Sequence, residues 1–308
     1  MRGRVYKSTG SWYRVRLEGG DFMDCRILGK MRLQGIRSTN PVAVGDWVQV
    51  EQEPGEPTGS IVSIEDRTNY LVRKSTKLSK QVHILAANVD QVVLVTTVVQ
   101  PKIALGLVNR ILVTAEAYDI PALLVFNKYD LYSEPDLDKL AEILAIYHPI
   151  GYPYALTSVQ EGRGIETLRK QLRGKTSLFA GHSGVGKSSL LNALDPSLEL
   201  RVKEVSAFNE KGQHTTTFAE MHDLSDDTFV VDTPGVRSFG VFDFNKETLS
   251  HYYPEMRERL GQCKFYNCMH IEEPGCAVRA AVEEGEISWA RYQSYLNLYY
   301  DEDLKTEY

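Results

Sequence analysis

Gly181-His182-Ser183-Gly184-Val185-Gly186-Lys187-Ser188 follows an apolar run, Ser177-Leu178-Phe179-Ala180, and precedes a helical pattern (Leu190, Leu191, Ala193, Leu194) stopped by Asp195-Pro196. This is the eight-position phosphate-loop pattern in its required setting, after a strand and at the mouth of a helix. Glycines let backbone N–H groups turn inward around phosphate oxygens, and the helix N-terminus adds a favourable dipole. Lys187 is expected to bridge the outer phosphates, Ser188 to hold Mg²⁺ through its hydroxyl, and Ser189 to complete the cradle.

Two further stretches belong to the same chemistry. Asp232-Thr233-Pro234-Gly235 ends the run Thr228-Phe229-Val230-Val231. An acid at the tip of a buried strand suits a Mg²⁺ ligand acting through water, and Gly235 offers an N–H to the terminal phosphate. Asn127-Lys128-Tyr129-Asp130 follows Ala122-Leu123-Leu124-Val125-Phe126. The Asp130 carboxylate can accept from guanine N1–H and from its exocyclic amine together, a pair adenine lacks; the wrong base would leave that carboxylate unpaired. Thr157 and Ser158, after Tyr154-Ala155-Leu156, are placed to buttress the base from the next strand. The cofactor expected from these residues is GTP or GDP with Mg²⁺.

Working outward, strands alternate with helices from Asp90 onward. Gln91–Val95 and 122–126 are near-continuous apolar runs, as in a parallel sheet covered on both faces. Leu105–Ala117 has helical spacing, and Ser133 caps a helix with Leu137, Leu140, Ala141 and Leu144 on one stripe. Before this, 12–17, 22–28, 47–51 and 61–64 read as short strands broken by Gly19-Gly20-Asp21, Pro41, Gly45-Asp46 and a Pro/Gly loop at 54–59. About five strands in under 70 residues fit a small oligonucleotide-binding-type (OB-like) barrel, with an SH3-like barrel nearly as suitable.

After about Phe244 the chain is helical and cysteine-bearing. Cys263-x4-Cys268-x-His270-x5-Cys276 offers three thiolates and one imidazole, a soft set suited to a closed, structural Zn²⁺ site. Cys25 stands apart and is expected inside a barrel strand. The aromatic helical spacing of Ile287, Trp289, Tyr292, Tyr295, Leu296 and Tyr299 suggests packing against this module or the α/β domain, with base stacking as the other reading. The expected architecture is multidomain: an OB-like barrel over 1–68, an α/β P-loop GTPase domain over 69–244, and a helical zinc-binding module over 245–308.

Composition narrows the classes. With 43% hydrophobic and 25% charged residues, the 308-residue chain is neither disordered nor fibrous. No apolar run approaches the ~18 residues of a membrane span, and the N-terminus lacks the apolar stretch of a secretion signal. A transporter or secreted enzyme is excluded, and a cytoplasmic protein with no membrane partner is expected. The net charge of −6 hides a gradient: residues 1–45 hold nine Lys/Arg against three acids, and 67–89 hold five against none. A basic front is compatible with a phosphate-rich partner.

The motif order is informative: guanine recognition at 127–130 precedes the phosphate loop at 181–188 and Asp232, the reverse of ordinary GTPases. With the barrel before and the Cys/His tail after, this chain resembles, over nearly its full length, the circularly permuted, ribosome-dependent small-subunit biogenesis GTPases of the RsgA (YjeQ/YloQ) type. The resemblance implies a partner, the small ribosomal subunit and its rRNA, with subunit-stimulated hydrolysis; a monomer is expected.

Between phosphate loop and Asp232 lies Lys211-Gly212-Gln213-His214-Thr215-Thr216-Thr217. One of Thr215, Thr216 and Thr217 is expected to sense Mg²⁺ and the terminal phosphate. Where many GTPases place a water-orienting glutamine after Asp-x-x-Gly, this chain has Val236, an apolar side chain unfit for that work. His214 is the candidate to replace it, as the resemblance also implies; the family usually has an arginine at the position of Gln213. A segment from Val236 to Phe244 would pass nucleotide-dependent movement into the zinc module. Two other functions fit the residues: a GTPase acting on another RNA–protein complex, and a GTP-gated RNA-binding protein without significant catalysis.

Overall fold

The structure, a computed structural model, describes residues 1–28, 41–52, 54–74, 82–200, 219–225, 227–232 and 245–300. Five strands open the chain: β1 (Arg2–Ser8), β2 (Tyr13–Leu17), β3 (Phe22–Ile27), β4 (Trp47–Glu51) and β5 (Gly59–Ile64). They run in the order β1-β2-β3-β5-β4, and β4 pairs back onto β1, closing the expected barrel. Alternation fills it: Tyr13 and Val15 point inward and Arg14 outward, so Val5, Tyr13, Val15, Cys25, Val48, Val50 and Ile61 form one buried cluster. Cys25 is therefore the buried strand residue its context suggested. Gly59 is required there, because a Cβ would stand 2.6 Å from Val50 Cγ1 and 3.1 Å from Cys25 Sγ.

A hairpin of β6 (Tyr70–Lys74) and β7 (Val82–Ala87), absent from the sequence-based reading, leads into the α/β unit. Its elements are β8 (Gln91–Thr96), α1 (Leu105–Ala117), β9 (Ala122–Phe126), α2 (Glu134–Tyr147), β10 (Tyr154–Leu156), α3 (Ile165–Leu172), β11 (Thr176–Ala180), α4 (Lys187–Leu194), β12 (Glu220–Ser225) and β13 (Thr228–Asp232). The strand order is β10-β9-β8-β11-β13-β12, with β12 alone antiparallel to its neighbour β13. Every residue of β8, β9 and β11 is buried, as continuous apolar runs covered on both faces should be. Connections from β8 run toward β9 and those from β11 toward β13. The crevice beyond their C-terminal ends is thus the switch point where open α/β sheets bind ligands.

The barrel and this sheet are continuous. Lys7 of β1 pairs with Glu220 of β12, joining eleven strands in one sheet. Polar contacts reinforce the seam. Lys7 Nζ lies 2.8 Å from Glu220 Oε2; Tyr6 OH donates to Asp223 Oδ1 at 2.6 Å and Arg16 Nη1 to Asp223 Oδ2 at 2.6 Å. Buried Arg4 donates to Thr176 Oγ1 at 2.9 Å and lies over the Phe229 ring.

The last described segment packs a third core from α5 (Pro254–Arg257), α6 (Ala277–Glu283) and α7 (Trp289–Tyr299) against α1. Tyr292 and Tyr295 are buried in it, as the packing reading of the aromatic helix required, whereas Trp289 is 61% exposed. The polar centre is Arg291, 0% exposed. It clasps Glu255 through Nε–Oε1 (2.6 Å) and Nη2–Oε2 (3.1 Å), and Nη1 donates to Asn109 Oδ1 at 3.0 Å. Tyr147 OH donates to the same Asn109 oxygen at 2.8 Å. On α2 the expected stripe holds at buried Leu140 and half-buried Leu137 and Leu144; Ala141 is exposed, and Ile143 and Tyr147 are the other buried residues. Among the described residues no helix is long and apolar enough to cross a membrane.

Burial alone would favour losing the Arg291 proton, but the Glu255 carboxylate holds the guanidinium charged. Arg291→Ala leaves that carboxylate buried without its cation, so the variant should lose about 3–5 kcal/mol of unfolding free energy. Denaturant titration at neutral pH measures it. A loss below about 1 kcal/mol, the level of an exposed pair, would contradict a structural role for the clasp.

Candidate nucleotide site and metal centre

The phosphate loop is shaped by two glycines with no room for a side chain. Gly181 has φ +146, and a Cβ there would lie 2.0 Å from Val95 O on β8. Gly186, φ +92, caps α4, and a Cβ would lie 2.5 Å from Asn127 Nδ2. Lys187 Nζ folds back into the loop, donating to Gly181 O at 2.8 Å and His182 O at 3.0 Å. Burial lowers its pKa, partly opposed by Asp232. Its hydrogen-bond partners here are neutral carbonyls, so an anion entering the loop would supply stronger, charge-assisted ones. Ser188 and Ser189 lie in the first turn of α4, and Asp232, ending β13, pairs across the sheet with Phe179 just before the loop. His182 and Ser183 lie at the loop surface, with His182 Nδ1 2.8 Å from Ser183 O; Gly184 follows in positive φ.

The guanine stretch leaves β9, with β8 alone between it and β11. Asn127, 2% exposed, ties three segments: its Nδ2 donates to Val185 O at 2.9 Å, and its Oδ1 accepts from Thr157 Oγ1 at 3.0 Å. Lys128 adopts φ +61 and donates through Nζ to Gln100 O at 2.8 Å. Tyr129 N–H donates to Thr157 O at 3.1 Å. Ser158 Oγ donates to Asp130 Oδ1 at 2.5 Å, orienting a carboxylate whose other oxygen can meet a ligand. The structure thus brings Asn127, Lys128, Tyr129, Asp130, Thr157, Ser158 and the loop 181–189 to one end of the sheet, beside Asp232. Gln213, His214, Thr215, Thr216, Thr217, Gly235 and Val236 lie outside the described residues.

In the last segment, the ligand atoms of Cys263, Cys268, His270 and Cys276 all lie within 4.8 Å of one another. His270 presents Nδ1, 3.6 Å from Cys263 Sγ and 3.4 Å from Cys276 Sγ. Such separations match neighbouring ligands of one tetrahedral Zn²⁺, with bonds of about 2.3 Å to sulfur and 2.0–2.1 Å to nitrogen. Backbone N–H groups of Ala277 and Arg279 donate to the Cys263 and Cys276 sulfurs at 3.4 Å each, stabilising negative sulfur. Without a metal, burial pushes the Cys268 thiol up to about 12 and the Cys276 thiol upward too. Metal binding must therefore displace protons.

Support for these ligands was not legible from motif spacing. Tyr292 OH donates to His270 O at 2.7 Å and Tyr295 OH to Met269 O at 2.6 Å. The Glu273 carboxylate accepts from the N–H groups of Met269, Ile271 and Glu272. Helical aromatic spacing pointed to the two tyrosines but not to what they hold; nothing distinguished Glu273 from other surface acids.

Comparison with known proteins gives concordant matches. Residues 64–242 match the family model described as RsgA GTPase, and residues 2–61 that of the RsgA N-terminal domain. The chain is 51% identical to the small ribosomal subunit biogenesis GTPase RsgA of Christiangramia forsetii, over 97% of this chain and 95% of that one. It is 50% identical to the protein of that name from Bacteroides fragilis, over 98% and 97%. Among solved structures, YjeQ from Thermotoga maritima superposes with a TM-score of 0.78 at 38% identity, covering 97% of each chain. YloQ, described as a circularly permuted GTPase, superposes with a TM-score of 0.72 at 32% identity, covering 97% and 94%.

The donor set predicts about one zinc per chain. Elemental analysis of the purified protein should find it, and Cys268→Ala should bring it near zero while weakening the near-ultraviolet signal of the buried tyrosines. Full metal content in Cys268→Ala would remove that cysteine from the ligand set.

Proposed function

The chain belongs to the RsgA GTPase family, and on that footing we propose that it binds and hydrolyses GTP while assisting late maturation of the small ribosomal subunit. The observation that carries the reading is the meeting of two motifs inverted in sequence: Asn127 of the guanine stretch donates to Val185 of the phosphate loop at 2.9 Å. In this reading base and phosphate recognition share one crevice, and the family relationship over nearly the whole chain supports a ribosomal partner.

In this reading Asp130, oriented by Ser158, accepts from the guanine edge, and Lys128 lays its stem along the base. The loop N–H groups and Lys187 take up charge on the transferring phosphoryl group, where such stabilisation does most of the catalytic work. Ser188 and Asp232 would hold Mg²⁺, which neutralises phosphate charge when bound, with one of Thr215–Thr217 answering to the terminal phosphate. Cys263, Cys268, His270 and Cys276 would hold a structural Zn²⁺. His214 would orient water in place of the absent glutamine. The barrel and zinc module would grip rRNA, in a cytoplasmic monomer whose units divide near 68 and 244. Val236 favours slow turnover by the isolated protein and acceleration by the docked subunit.

GTP turnover should rise strongly with purified small subunits and not with large subunits, and ATP should not substitute. Lys187→Ala should lower stimulated turnover by about 100-fold, the scale of losing one transition-state donor; His214→Ala should lower it with GTP binding retained. GTP binding without stimulation by any ribosomal particle would favour a GTP-gated binding protein instead.

A further inference from the structure

The segment between β10 and α3 is closed more tightly than a connection requires. Ser158 N–H donates to Arg163 O at 3.0 Å, and Glu161 N–H donates to Ser158 Oγ at 3.2 Å. Gly164, at φ +72, lets the chain turn where a Cβ would lie 2.0 Å from Leu156 O. This loop delivers the Arg163 guanidinium onto the ring of Tyr129, with Cζ 3.8 Å from the ring centre. Arg163 is exposed and forms no ion pair among the described residues, so stacking is the contact that places it. Tyr129 stands inside the guanine stretch, between Lys128 and Asp130, and its ring also meets Tyr132 at 5.5 Å.

We propose that Arg163, stacked on Tyr129, is a positioning residue for guanine selectivity; this rests on the guanine-binding reading of 127–130. The physical chain is short. Asp130 is fixed at one oxygen by Ser158 Oγ, and Ser158 belongs to the loop that Arg163 closes. The stack clamps that loop to the stretch carrying Asp130, so hydroxyl and carboxylate keep their relative position. Without the clamp the loop gains freedom and Asp130 can rotate. A rotated carboxylate loses the two-point contact with guanine, and the exocyclic amine is the partner that separates guanine from hypoxanthine. Arg163 touches no base in this scheme; it acts through Ser158 and Asp130.

The test compares release of GDP and IDP from the full-length protein with Mg²⁺, for the parent and for Arg163→Ala, Arg163→Lys, Tyr129→Leu and the Arg163→Ala/Tyr129→Leu pair. An exposed cation–π contact predicts about two- to fivefold faster GDP release from Arg163→Ala, with the GDP/IDP affinity ratio falling by a similar factor. Arg163→Lys should recover part of both, and the double variant should be little worse than either single one, as two halves of one contact require. Unchanged GDP release, or equal acceleration of GDP and IDP with the ratio intact, would overturn the proposal, because general loosening would not move the ratio. A parent protein showing no preference for GDP over ADP would defeat the underlying guanine reading, and the proposal with it.

Discussion

A single antiparallel register, Lys7 opposite Glu220 and Glu220 opposite Asp232, makes the barrel and the nucleotide sheet one object. Asp232 in turn pairs with Phe179 of β11, so one row crosses four strands from the barrel to the edge of the phosphate loop. Strands in a ladder stand about 4.7–4.9 Å apart and share backbone hydrogen bonds; β13 cannot shift far while β12 and β1 stay still. At Glu220 the pairing also occupies the start of β12, which would otherwise be an open edge of this sheet and a template for unwanted strand addition.

The side chains at this seam show what holds it. Burial, reinforced by the nearby Asp223 carboxylate, pushes the Tyr6 hydroxyl up to about 12, so it remains a donor to Asp223. Arg16 completes the carboxylate's partners. Arg4 is a different case: burial lowers its pKa, and its direct contacts are the Thr176 hydroxyl, the Gly45 and Asn88 carbonyls and the faces of Trp47 and Phe229. Its guanidinium tolerates this environment because it is weakly hydrated and can stack. The opposite solution holds the C-terminal segment, where Arg291 meets a full carboxylate in the dry interior.

Much of this was readable in the residues, and the exceptions have physical causes. Fully buried strands announce themselves as apolar runs, so β8, β9 and β11 were visible, as were the mostly buried β13 and α1 with its boundaries. Glu220-Met221-His222-Asp223-Leu224-Ser225 shows no such run; it is a strand because β1 and β13 flank it, and its acids belong to the seam. The hairpin β6–β7 is obscured because Arg73 and Lys74 interrupt the apolar pattern of β6. Arg291 and Glu255 read as surface charges on helices, and only tertiary packing reveals that they neutralise one another. At the candidate nucleotide site the phosphate-loop pattern, the 127–130 stretch and the hydroxyls at 157–158 have sequence signatures because binding a nucleotide there would demand a fixed geometry of each. The Arg163–Tyr129 stack has none, since any cation reaching any ring would look the same in sequence.

The inverted motif order has a mechanical consequence. In this chain the strand that follows the threonine segment is β12, paired with the barrel, and the chain leaving Asp232 reaches the C-terminal module after residues 233–244. β12 is thus paired with the barrel, while β13 leads in sequence toward the C-terminal module. The C-terminal module is also docked elsewhere, on α1 through the Arg291–Asn109 hydrogen bond and on the end of α2 through the Tyr147 ring beside Arg291; these helices precede and follow β9. It therefore follows β13 in the chain and rests on the helices before and after β9. The Arg291–Glu255–Asn109 contacts hold the module against α1. The barrel is fixed to the sheet through β12, so both flanking units are held on the α/β unit by pairing or packing and not by chain connection alone.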